Sequence, residues 1–270
     1  MDSSLKNPPH LTLSGNEAHL WYVLQDEISD AALLEAYREL MTPDEVARYR
    51  RFRPPEKRHE FLVTRALVRW TLSCYDAVSP EAWRFEHGEY GKPRVAKQFE
   101  ASQLQFNLSN TLGMVACLVS RRRDVGLDVE NALRGTPVVE IAERQFAPSE
   151  VDALRSLPEK EQHERFFAYW TLKESLLKAF GVGLAFPLRN CAFLLDGDDD
   201  GEESSIRVAF DGDCALPSGQ QPCADEWQFR RFFPTAEHRI ATALHCAKGE
   251  RVEVILRRTV PFVGPVPENP

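Results

Sequence analysis

The run His19-Leu20-Trp21-Tyr22-Val23-Leu24 is almost continuously apolar and predicts a strand. A short helix is expected over Asp30–Leu40. Thr42-Pro43-Asp44-Glu45 then reads as an N-cap, a proline at the first helical position and acids in the first turn. From Glu56 to Tyr75, Phe61, Leu62, Leu67, Val68 and Leu72 recur at helical spacing and predict a long helix. Gly91-Lys92-Pro93 is a turn. Phe106-Asn107-Leu108-Ser109 leads into a strand over Met114–Val119, and Arg121–Asp124 is a connector. A strand at Val125–Glu130 precedes helices near 137–146 and 149–157 and a long helix over 159–180. Strands are expected near 191–195, 206–210, 227–233 and 240–246. Residues 1–18 read as an irregular lead-in, the acidic run 196–203 as a solvated hairpin loop, and the Pro-rich tail from Val260 as extended or mobile.

No repeat exists at the residue level, yet the order strand, long helix, strands occurs twice. That order predicts an α+β fold of two similar α/β subdomains, a pseudo-dimer, each a small, mostly antiparallel sheet packed on a long helix. The division falls near residue 122, giving 1–122 and 123–270, a reasonable split for 270 residues.

Composition narrows the function. The apolar fraction of 43% and charged fraction of 27% are those of a globular chain. No stretch approaches the roughly 20 apolar residues of a membrane span, and the polar start lacks a secretory h-region. Six scattered cysteines without C-x-x-C spacing fit a reducing cytoplasm. The net charge of −8 argues against generic nucleic-acid binding, but it is unevenly spread. Residues 196–203 carry six acids and no base, whereas Asp44–Arg69 holds eight Lys/Arg against four Asp/Glu. A basic region in a mildly acidic chain suits a compact anionic ligand.

Two acidic motifs carry the chemistry. In Gly126-Leu127-Asp128-Val129-Glu130 a strand places both carboxylates on one face. In Trp170-Thr171-Leu172-Lys173-Glu174-Ser175-Leu176-Leu177-Lys178 a helix presents Glu174 and, one turn on, Lys178. Each has an ordinary alternative: Asp128 and Glu130 as the wet face of a half-buried strand, Glu174 and Lys178 as a solvated i,i+4 pair. Taken together, three converging carboxylates would repel one another unless a hard divalent cation joined them. The seven histidines form no metal-spaced pair, and Ser109 lies in no G-x-S-x-G elbow.

In order along the chain, Tyr90-Gly91-Lys92-Pro93, Phe106-Asn107-Leu108-Ser109, the Gly126–Glu130 motif and Trp170-x-x-Lys173-Glu174-Ser175-x-x-Lys178 resemble the 4′-phosphopantetheinyl transferase superfamily, in its larger pseudo-dimeric branch. Arg50-Arg51-Phe52 through Leu67-Val68-Arg69 resembles that family's N-terminal helices. The resemblance implies transfer of the phosphopantetheine arm of coenzyme A to a serine of apo acyl or peptidyl carrier proteins, with release of 3′,5′-ADP. It implies Mg²⁺ (Mn²⁺ is also possible) held by Asp128, Glu130 and Glu174, with Glu174 and Lys178 as the catalytic pair. Arg48, Lys92, Ser109, Asn110, Asp128 and Lys178 are the implied contacts to coenzyme A, the 3′-phosphate end in the first half and the metal site in the second. A cytoplasmic monomer is the implied setting, without nucleic acid or membrane. Two departures stand out: Asn110 replaces the usual His and cannot carry positive charge, and Glu45 stands where close relatives often have Lys. A Mg²⁺-dependent pyrophosphohydrolase and a non-catalytic coenzyme A or carrier-binding module are the competing readings.

Overall fold

A computed structural model describes residues 6–133, 135–195, 206–212 and 214–266. The acidic run 196–203 lies outside them. The chain forms two compact units: Met1–Glu86 with Arg94–Arg122 and Glu253–Pro270, and His87–Pro93 with Arg123–Val252.

In the first unit β1 (Glu17–Leu24) is followed by α1 (Ala31–Glu39), α2 (Pro43–Arg51) and α3 (Pro55–Ser73). The expected start of α2 is a complete capping box: the Thr42 hydroxyl accepts from the Glu45 amide, and the Glu45 carboxylate accepts from the Thr42 amide. Short strands β2 (Phe85–His87) and β3 (Pro93–Val95) flank the Gly-Lys-Pro turn, and β4 (Leu104–Thr111) and β5 (Met114–Arg121) form a hairpin. Tyr37, Leu67, Trp70, Trp83 and Val115 stand in one core, where α3 lies against β4 and β5.

The second unit opens with β6 (Val125–Asn131), then α4 (Val138–Gln145), α5 (Pro148–Arg155) and α6 (Glu159–Phe180). The antiparallel pair β7 (Cys191–Leu195) and β8 (Ile206–Phe210) follows, then β9 (Trp227–Phe232) and β10 (His238–His245). Strands β6, β10 and β9 form an antiparallel sheet with β10 central, and α6 packs on β6 and β10. Each unit thus sets a long helix against a largely antiparallel sheet, an α+β fold as expected. Among the described residues no helix is long and apolar enough to cross a membrane, and all six cysteines are free, five of them buried.

The C-terminal stretch departs from expectation. Glu253–Val260 is a strand, β11, that the sequence reading did not pick out. It lies parallel to β1 in the first unit, extending its sheet to the order β12-β11-β1-β5-β4, where β12 is Gly264–Pro265. The second unit runs from Arg123 to Val252 and takes in His87–Pro93, so neither unit is one continuous stretch. The tail to residue 266 is not loose. Phe262, at φ 65°, packs on Tyr37 and Trp70, and the Tyr37 hydroxyl donates to the Pro261 carbonyl. Arg257, over the Trp21 ring, and Arg258, paired with Glu27, interrupt the apolar run of β11, which hides a strand from hydropathy alone.

Helix α6 buries more than the arc its apolar residues define. Ala168, Thr171, Ser175 and Ala179 make a second, small-residue face. A Cβ at Gly126 would stand 1.8 Å from the Ser175 carbonyl oxygen and 2.5 Å from the Ala179 nitrogen, both backbone atoms of the helix. On the other side Lys173 is wholly buried: its ammonium pairs with Glu150 at 2.7 Å and donates to the carbonyls of Leu188 and Cys191. Glu150 also accepts from the amides of Ala147 and Phe193, and the Phe146 ring stands 5.4 Å from the Lys173 nitrogen.

Gly126→Ala is expected to force α6 off the strand, lowering stability by about 1–3 kcal/mol in urea melts; a variant with unchanged midpoint would remove the close approach as a constraint. The exposures of Lys173 and Glu150 are 0% and 1%, so Lys173→Met leaves a buried carboxylate without its cation, costing roughly 3–5 kcal/mol. Calorimetry of Lys173→Met beside the double replacement Glu150→Leu/Lys173→Met should show the double variant as the more stable.

Burial, with the nearby Arg257 charge, lowers the His19 pKa from 6.5 to about 4, and Glu17 opposes this in part. The folded protein therefore resists a proton that the unfolded chain accepts. This contribution to stability is intact above pH 6.5 and is lost as pH falls toward 4, by about 3 kcal/mol at most. Melting of wild type and His19→Gln at pH 7 and 4.5 should show a shallower acid loss in the variant; parallel losses would contradict this assignment.

Candidate functional site

Strand β6 and helix α6 supply the candidate site. Gly126, Asp128 and Glu130 alternate along one face of β6, and the Gly126 contact shows that this face lies under α6. The wet-face alternative for Asp128 therefore fails: Asp128 is 5% exposed. It stands opposite Ala241 of β10, and its Oδ1 accepts from the Lys178 ammonium at 2.7 Å. Lys178 is not a solvated i,i+4 partner; it reaches from the helix to the strand. Glu174 is half-buried one turn earlier. Burial, then the neighbouring charge of Asp128, push its carboxyl above the usual carboxylate range, and Lys178 pulls it part of the way back.

Glu130 is half-buried and stands opposite Arg239 of β10, whose guanidinium bonds both oxygens of Glu164. Among the described residues no three acidic, histidine or cysteine side chains stand close enough together to hold a metal as placed. The structure brings together Asp128, Glu174 and Lys178, with Glu130 on the same strand face. Asp128 and Glu174 are hard oxygen donors whose mutual repulsion a divalent cation would relieve.

Lys92 was expected among the anchors of the first half, but its turn belongs to the second unit. Its ammonium donates to the carbonyls of Val125 and Ala179, at 3.0 Å each, and burial lowers its pKa to about 8. Ser109 and Asn110 lie on β4 in the first unit, Ser109 buried and Asn110 exposed. Arg48 is exposed in the last turn of α2, 5.5 Å from the Phe61 ring centroid. The Glu45 departure has a structural answer, because its carboxylate bonds Arg69 at 2.7 Å and stands 3.5 Å from Arg65. Those two arginines are engaged inside the unit, which leaves Arg48 and its exposed neighbours Arg50, Arg51 and Arg53 for solvent or ligand.

Sequence reasoning missed the support behind these groups. Glu150, three residues after Ala147, has the spacing of a capping box, a signal of a fixed carboxylate. Gly126 within a strand signals a close backbone approach. A groove of about 600 Å³ beside the end of α6 is lined by Tyr90, Phe180 and Trp227 with Glu89, Asp124 and Glu226. Neither Lys nor Arg is among its described lining residues, so its chemistry does not suit a phosphate, and Asp128, Glu174 and Lys178 do not line it.

The model of the 4′-phosphopantetheinyl transferase superfamily matches residues 124–243, which contain Asp128, Glu130, Glu174 and Lys178. The chain is 38% identical over 181 residues to 4′-phosphopantetheinyl transferase HetI of Nostoc sp. (strain PCC 7120), covering 67% of this chain and 76% of the relative. It is 30% identical over 192 residues to 4′-phosphopantetheinyl transferase Sfp of Bacillus subtilis (strain 168), covering 70% and 77%. The L-aminoadipate-semialdehyde dehydrogenase-phosphopantetheinyl transferase of Mus musculus is 26% identical over 231 residues, 83% of this chain and 72% of the relative. With the acids and lysine of strand β6 and helix α6 inside the matched region, and two relatives matched over three quarters of their length, the chain belongs to the 4′-phosphopantetheinyl transferase superfamily, in the larger branch with HetI and Sfp.

Proposed function

We propose that this chain transfers the 4′-phosphopantetheine arm of coenzyme A to a serine of an apo carrier protein, releasing 3′,5′-ADP. The observation that carries this reading is the Asp128–Lys178 ion pair with Glu174 beside it, inside the region matched to the family.

The acceptor hydroxyl attacks the phosphorus that bears the pantetheine arm; a new P–O bond forms, and the P–O bond to the leaving 3′,5′-ADP breaks. Glu174 takes the hydroxyl proton. Lys178, fixed beside Asp128, supplies positive charge to the pyrophosphate where negative charge develops. Asp128 and Glu174, with Glu130 from the same strand face, would hold Mg²⁺ or Mn²⁺. Bound there, the ion supplies neutralisation of pyrophosphate charge. Arg48, Ser109 and Asn110 form the proposed contacts to the 3′-phosphate; Asn110 donates a hydrogen bond there without charge. A cytoplasmic monomer is part of this proposal, consistent with the free thiols of the described residues.

Intact-mass analysis of an apo carrier protein after incubation with this protein, coenzyme A and Mg²⁺ tests the reading. A gain equal to the arm is expected, and no 3′,5′-ADP should form without the carrier. Release of 3′,5′-ADP from coenzyme A alone would instead point to a pyrophosphohydrolase, and no turnover with coenzyme A bound to a binding module. Glu174→Gln should lower transfer roughly 10²–10⁴-fold with an unchanged fold; near-wild-type turnover would remove Glu174 from the mechanism.

A further inference from the structure

Lys92 is held in a way that phosphate binding does not require. The turn that carries it is closed by its own backbone: the Gly88 amide donates to the Lys92 carbonyl and the Gly91 amide to the Gly88 carbonyl, both at 2.9 Å. Gly91 sits at φ 85°, a conformation open to glycine at little cost. The turn is therefore stiff, and it aims the side chain inward. The lysine stem runs over Gly181, where a Cβ would come within 3.2 Å of the Lys92 Cδ. Gly181 is the left-handed residue that ends α6, so its lack of a side chain serves both the cap and the passage of the stem.

The two carbonyls that Lys92 reaches are ones that regular structure leaves short of donors. Ala179 is among the last four residues of α6, whose carbonyls have no partner within the helix. An ammonium there also meets the negative end of the helix dipole. Val125 begins β6, an edge strand whose neighbour is β10 alone. One cation with three donors thus ties the last turn of the helix to the first residue of the strand. Lys178 adjoins Ala179, and Asp128 lies three residues beyond Val125, so the tie spans the two elements whose side chains make the Asp128–Lys178 pair.

We infer that Lys92 is a positioning residue, whose ammonium pins helix α6 to strand β6 and so fixes Lys178 and Glu174 against Asp128. The inference rests on the transferase reading above and deepens it: Lys92 acts on the reacting groups through two backbone carbonyls. Gly126 sets how closely the elements approach, and Lys92 sets how they align along their length. Loss of the pin lets the helix end shift against the strand, and a displacement of about 1 Å in a catalytic group is enough to cost up to roughly a hundredfold in rate.

Steady-state kinetics of wild type, Lys92→Met and Lys92→Arg with coenzyme A and with 3′-dephospho-coenzyme A separate the roles. Lys92→Met keeps the stem and removes the donors; Lys92→Arg keeps charge and donors. For Lys92→Met, kcat should fall by roughly tenfold to a hundredfold, by the same factor with both substrates, with each KM within about twofold of wild type. Lys92→Arg should recover most of that loss. A loss carried by KM for coenzyme A and absent with 3′-dephospho-coenzyme A would make Lys92 a phosphate ligand and overturn the inference. An unchanged kcat with a lowered melting temperature would overturn it too, leaving a purely structural role. Should Lys92→Met not fold, Lys92→Arg decides: near-wild-type kcat with both substrates supports the pin, and a KM defect confined to coenzyme A refutes it. Wild type that transfers nothing with either substrate would sink the transferase reading instead, a result that the wild-type arm alone records.

Discussion

The backbone contact between Gly126 of β6 and residues 175–179 of α6 is the constraint on which the site depends. With no side chain at residue 126, the helix rests directly on the strand. The reach from Lys178 to Asp128 then becomes a salt bridge of 2.7 Å. Alternation along the strand brings Glu130 to the same face, and the helical turn brings Glu174 beside Asp128. The electrostatics follow from that approach: one carboxylate paired with a lysine, another held above its usual range by burial and by its neighbour.

A helix that must hold charged groups in register needs fixing on more than one side. The Lys173–Glu150 pair does this on the face away from β6. Its desolvation is offset by a full set of hydrogen bonds to carbonyls and amides of three segments. Adjacent residues of one motif therefore do opposite work. Lys173 is a buried structural cation, Glu174 lies beside Asp128 and Lys178, and the Lys92 ammonium bonds the Ala179 carbonyl at the C-terminal end of the helix.

The first unit solves a different problem, that of carrying many arginines without repulsion. Glu45 caps α2 and also bonds Arg69 while standing beside Arg65, so two of the eight basic residues of that stretch are neutralised where they are buried. The Glu45 carboxylate, a departure from the resemblance, is the counterion shared by two arginines of α3 as α2 packs on it. Arg48, Arg50, Arg51 and Arg53 stay exposed and keep the surface there positive.

Much of this was legible in the chain. The Thr42-Pro43-Asp44-Glu45 cap, the long helix over 159–180, the strands at 191–195 and 206–210 and the acidic motifs are local patterns of periodicity, capping and spacing, and local interactions fix them. The strand over Glu253–Val260 was not legible, because its arginines owe their burial to Trp21 and Glu27, residues more than two hundred positions away. Nor could the sequence decide that Lys92 and Lys173 serve backbone carbonyls and a buried acid rather than solvent or ligand, because a lysine's partners are chosen by what the fold places at the end of four methylenes. The sequence by itself determined the elements that local periodicity and capping mark, and which carboxylates share a strand face. Tertiary packing decided which charges are buried and paired, because desolvation acts only once distant segments close over them.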